Sequence, residues 1–133
     1  MRWVAGFAVL LIGLAALFSL TNRRAPKCQL TEVDRAVTLD GKTALILFVR
    51  DCDGEVVTTS NVSLLPAALS QTAGVGNIAS LPGDARQNPE YWTLEWEGDL
   101  AVVRYRGLAR LRRPTQGVIG DHPFVFIQQR RSR

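Results

Sequence analysis

The chain has 133 residues, 47% of them hydrophobic, and a formal net charge of +4. That length gives room for one domain beyond any leader. The excess charge is local: Arg2, Arg23, Arg24 and Lys27 precede Cys28, and from Cys28 to Arg133 there are 12 Arg/Lys against 12 Asp/Glu. The basic balance therefore does not point to nucleic acid as a partner.

Met1-Arg2-Trp3 is a short positive start, residues 4–20 form an uncharged apolar run, and Thr21-Asn22-Arg23-Arg24 closes it. Such a run spans about 26 Å as a helix, near the lower limit for crossing a bilayer. No clean Ala-x-Ala site precedes Arg23. Residues 1–27 are therefore read as an uncleaved signal anchor with a basic flank: one N-terminal transmembrane helix that meets the membrane through residues 3–20. A cleaved signal, leaving a secreted domain, is the alternative. A core helix of a cytosolic protein is a weaker one, because the run shows no polar face.

Residues 28–133 are expected to form one β domain on the extracytoplasmic side, periplasmic or outer. The charges disagree, since Arg23, Arg24 and Lys27 outweigh Arg2 and the positive-inside rule alone keeps the domain in the cytoplasm. Cys28 and Cys52, the only cysteines, argue the other way. In an exported domain two cysteines most simply form one disulfide. There is no Cys-x-x-Cys redox motif, and a zinc site lacks further ligands with His122 the only histidine. Ala25-Pro26-Lys27 does not fit lipoprotein processing at Cys28.

Residues 32–38 form a candidate first strand, followed by a two-residue turn at Asp40-Gly41. Residues 43–50 (TALILFVR) form the strongest strand; its unbroken apolar run predicts a central position with both faces buried. A turn at Asp51-Cys52-Asp53-Gly54 leads to a β-branched strand over 56–65. Residues 67–89 read as a long loop with one short strand near 77–80.

Over 91–97, Trp92, Leu94 and Trp96 alternate with Thr93, Glu95 and Glu97, the mark of a half-buried strand. Residues 100–105 return as its hairpin partner. Residues 109–113 suggest a short edge strand, 114–123 a loop and 124–128 the last strand. The fold class is mainly β: an antiparallel meander of six or seven strands, as a curled sheet or small sandwich.

Several of these segments resemble a group of uncharacterised bacterial exported proteins and lipoproteins. The likeness lies in Leu39-Asp40-Gly41-Lys42, the apolar strand 45–49, Arg50-Asp51-Cys52, Thr58-Thr59-Ser60 and Val62-Ser63-Leu64-Leu65-Pro66. It covers most of residues 28–105 and implies export and a Cys28–Cys52 pair, but no activity. Leu39 stands where the group has proline, and Asp53 is inserted before Gly54.

Little in the sequence carries chemistry. Asp121-His122 is the only acid–histidine neighbour pair, and no Gly-x-Ser-x-Gly elbow exists. Glu95 and Glu97 would share a strand face, a paired-carboxylate arrangement that also describes a solvated hairpin. Gly74-x-Gly76 is too short for a phosphate fingerprint. The best binding candidates are Arg104, Arg106, Arg110, Arg112 and Arg113, with Arg130, Arg131 and Arg133 behind them, whose guanidinium forks suit phosphate or carboxylate. Against that stands their pairing with the acidic first part of the domain.

No catalytic residue, metal or cofactor is expected. The expectation is a membrane-tethered, non-enzymatic envelope domain acting as an interaction or structural module, its partner an envelope protein or an anionic headgroup. The alternatives are a small hydrolase or transferase using Asp121-His122 or the hairpin acids, and an anionic lipid or polymer binder through the arginines.

Overall fold

The computed structural model of the chain describes residues 12–13, 27–70 and 75–129. The expected transmembrane helix, except for Ile12 and Gly13, and Arg130, Arg131 and Arg133 lie outside them. Among the described residues no helix is long and apolar enough to cross a membrane.

Eight strands form among the described residues: β1 (Cys28–Val37), β2 (Thr43–Cys52), β3 (Thr59–Pro66), β4 (Ala79–Pro82), β5 (Trp92–Glu97), β6 (Leu100–Tyr105), β7 (Gln116–Ile119) and β8 (His122–Gln128). They make two four-stranded sheets, ordered β1-β2-β3-β4 and β5-β6-β8-β7. The protein is mainly β, but not a purely antiparallel meander: β6 and β8 run parallel, from Ala101 opposite Phe124 to Tyr105 opposite Gln128. A parallel pair needs a crossover, and residues 106–121 supply it with β7 at the outer edge.

That crossover corrects the sequence reading of 109–123. Residues 109–113 make no strand; Ala109 and Leu111 turn onto the core, and the Gln128 Nε2 donates to the carbonyls of Gly107 and Ala109. The edge strand is β7, inside the stretch expected to be a loop. Its glycine disguises it: a Cβ on Gly117 would press on the Phe124 ring.

β2 behaves as its composition demands. Ala44 to Val49 are all within 1% of complete burial, and each of the five larger side chains, Leu45 to Val49, contributes roughly 1.5–3 kcal/mol by leaving water. Leu45, Leu47 and Val49 face the second sheet and join Val62, Leu94, Val103 and Phe126 in one core. Ala44, Ile46 and Phe48 point the other way, against Leu30, Leu65 and Ala67. Arg35, opposite Ile46, donates to the Ala67 carbonyl. Trp92, Leu94 and Trp96 take the inner face of β5 as their alternation predicts, and Thr93, Glu95 and Glu97 the outer.

Other boundaries shift for local reasons. β1 starts at Cys28, four residues earlier than expected, because Cys28 pairs directly with Cys52. The β1–β2 connection takes five residues, 38–42, with its loop over 39–42, rather than a two-residue turn. Only Gly41 takes positive φ (72°), and its N–H donates to the Thr38 carbonyl at 2.9 Å. β3 begins at Thr59, leaving Val56 and Val57 exposed before it.

The 67–89 segment is fastened where it meets β3. The Asn77 side chain accepts from the Leu64 N–H at 2.8 Å and donates to the Leu64 carbonyl at 2.9 Å, extending the ladder ahead of β4. Gly76 lies against the backbone of Val62 and Ala79, with no room for a Cβ.

β2 thus carries the chain about 30 Å between two poles. One pole holds Lys27, Cys28, Cys52 and the outer ends of Trp92, Tyr105 and Gln128. The other holds the 39–42 loop and the turns at Gly98-Asp99 and Gly120-Asp121.

Candidate functional site

Two places gather the residues that carry chemistry, one at each pole. At the first, Cys28 and Cys52 form a disulfide with Sγ–Sγ 2.07 Å and a separation of 24 residues. The bond joins directly opposed residues of β1 and β2, and the Asp53 N–H donates to the Lys27 carbonyl at 2.9 Å beside it. The polypeptide therefore enters the domain through a strand end that is tied covalently and by hydrogen bond. At the corresponding end of the second sheet Trp92 stacks obliquely on Tyr105, centroids 4.5 Å apart, with Phe126 edge-on at 6.4 Å from Trp92. Burial pushes the Tyr105 phenol above its ordinary pKa.

The second pole carries a cleft of about 700 Å³ between the 39–42 loop, the β5–β6 turn and His122. A smaller hollow of about 260 Å³ lies across His122, bounded by Thr43, Leu64 and Ile119. His122 is the partition. Its Nε2 lies 3.2 Å from the Thr43 Oγ1, its Nδ1 3.4 Å from the Asp99 carbonyl, and its ring meets Trp96 edge-on at 5.3 Å. The Trp96 Nε1 donates to the Ala36 carbonyl at 3.0 Å. Both contacts bridge the sheets, Thr43 and Ala36 belonging to one and His122 and Trp96 to the other.

Asp40 orders the loop that forms one wall. Its Oδ1 accepts from the Thr38 hydroxyl at 2.6 Å and from the Lys42 N–H at 3.0 Å, and these bonds hold the carboxyl below its ordinary pKa.

The residues expected to form a site are placed as follows. Asp121 is not a partner of His122, whose neighbours are Thr43 and Asp99. Glu95 and Glu97 do share an outer strand face, where both meet Arg104, at 3.5 Å and 3.3 Å. The five arginines have different surroundings. Arg106 donates to Gln129, Arg113 reaches the Gly76 carbonyl, and Arg110 and Arg112 project into solvent from the crossover. Among the described arginines after residue 103, Arg104 alone is ion-paired, with acids of the preceding part of the domain; Arg35, Arg50 and Arg86 of that part pair with its own acids Glu32, Glu55, Asp51 and Asp84. Among the described residues no group of three His, Cys, Asp or Glu is placed to hold a metal ion.

Sequence reasoning passed over Thr43, because its partner His122 is 79 residues away. Trp96 was visible as an inward residue, but its bond across to β1 had no local signal. Comparison with known proteins gives no match to the chain among protein-family models, curated proteins or solved structures.

Proposed function

We propose that the protein is a membrane-tethered, extracytoplasmic β domain that acts without catalysis, as an interaction or structural module of the cell envelope. The observation that carries this reading is the position of the Cys28–Cys52 disulfide, at the strand end where the apolar leader joins the domain. Disulfides persist in oxidising compartments and are rare in the cytosol. Closing a 24-residue separation contributes roughly 3 kcal/mol in the chain-entropy model. Here the bond also keeps the first strand from fraying at the point where a tether pulls. Its weight exceeds that of the basic flank, whose orientation preference is statistical. The resemblance to exported bacterial proteins supports the same placement.

Trapping the thiols tests the reading. Cells expressing the full chain are quenched in acid, alkylated, reduced and alkylated with a second reagent. Cys28 and Cys52 should take only the second label, and the chain should remain in carbonate-washed membranes at its full length. First-label incorporation at both cysteines contradicts the extracytoplasmic placement. Release from the membrane as a shortened chain contradicts the tether and favours a cleaved signal.

A further inference from the structure

We propose that the cleft opposite the disulfide pole is the docking site for a segment of another protein in which an apolar side chain is flanked by lysine or arginine. The proposal rests on the interaction-module reading above and names its partner's chemistry.

The walls are apolar and open. Leu39, at the loop tip, is fully exposed and Val37 is 45% exposed. Trp96 spends its N–H on Ala36, so what it offers the cleft is ring surface rather than a donor. A pocket of about 700 Å³ accommodates one or two side chains.

The rim is acidic. Asp40, Glu95, Glu97 and Asp99 line the cleft, and among the described residues no lysine or arginine does. Arg104 engages Glu95 and Glu97, whereas neither Asp40 nor Asp99 is ion-paired among the described residues. An aromatic face beside two carboxylates without an ion-pair partner selects a cation, and the exposed leucine selects an apolar neighbour to it.

The complementary charge cannot come from the chain's own basic flank. Arg23 and Arg24 lie within five residues of Cys28, a reach of roughly 18 Å, while the cleft is the length of β1 away, about 30 Å. The same separation turns the cleft away from the point of attachment, toward whatever faces the domain.

The full chain in neutral detergent micelles is titrated with acetyl-Lys-Leu-Lys-Leu-Lys-amide, with protein-free micelles as the blank. Controls replace lysine by glutamate or leucine by serine. The lysine–leucine peptide should bind with a Kd about tenfold below either control, and added salt should weaken it. Leu39→Ser with Asp99→Asn, both at exposed positions, should raise its Kd about tenfold while the thermal midpoint stays in place.

Equal binding of all three peptides, binding to the blank alone, or an unchanged Kd in the double variant overturns the proposal. So does a concentration-dependent dimer that the double variant abolishes, which would assign the cleft to a second copy of the chain. None of these outcomes touches the thiol-trapping result, so the tethered reading stands or falls separately.

Discussion

The two poles of the domain are built from different materials. The pole at Cys28 is closed by a covalent bond and by the packed rings of Trp92, Tyr105 and Phe126. The pole at His122 is held by single hydrogen bonds between the sheets, Thr43 to His122 and Trp96 to Ala36, around an open cleft. Stability is concentrated at the pole that the proposed tether would enter, and accessible surface at the other. Such a division suits a domain held at one end and presenting the other.

The sharpest way to break the comparison is to exchange the expected costs. Trp92→Ala removes the ring at the centre of the closed pole and should lower unfolding stability by about 3–5 kcal/mol, measured by urea denaturation. Removing the disulfide by Cys28→Ser with Cys52→Ser should cost about 2–4 kcal/mol, with the same loss when the wild-type chain is reduced. At the open pole, Thr43→Val and Trp96→Phe each delete one sheet-to-sheet hydrogen bond and should cost about 1 kcal/mol. If Thr43→Val proved as damaging as Trp92→Ala, the poles would not differ as described.

Acidification should give the smallest effect. Arg35 holds the Glu32 carboxyl below its ordinary pKa, the Thr38 hydroxyl and Lys42 N–H hold Asp40 down, and Arg86 holds Asp84 down. Each folded-state value is below the unfolded one. Their contribution is therefore complete above the ordinary carboxylate range, near pH 4, and is lost as pH falls through the folded values. Glu32 and Asp40 are exposed and Asp84 is only partly covered, so the change should be modest. A urea midpoint that falls between pH 6 and pH 3, and falls less in Asp40→Asn, checks the direction.

Strands whose partners are close in sequence were legible in the residues. The β5–β6 hairpin and the buried β2 follow from alternation and from an unbroken apolar run, both local signals. The β6–β8 pairing was not, because a parallel neighbour leaves no mark on the turn residues that a sequence shows. β7 was hidden by Gly117, required by the Phe124 ring rather than by a turn. The cleft is a stronger case. Its walls come from residues near 38, 97 and 122, each unremarkable alone, and only the packing of the two sheets brings them together. The disulfide was legible because two cysteines allow one intramolecular pairing. The partners of the arginines were not legible either, because Gln129 and Gly76 lie 23 and 37 residues from Arg106 and Arg113.

The most direct test of a tethered domain with its open pole outside the cytoplasm is to place a reporter thiol there. Asp99→Cys in the full chain sits at the pole opposite the native disulfide. Intact cells treated with a small membrane-impermeant maleimide should label this cysteine as fully as lysed cells do, with Cys28 and Cys52 unlabelled in both. Labelling of Asp99→Cys only after lysis would contradict the account.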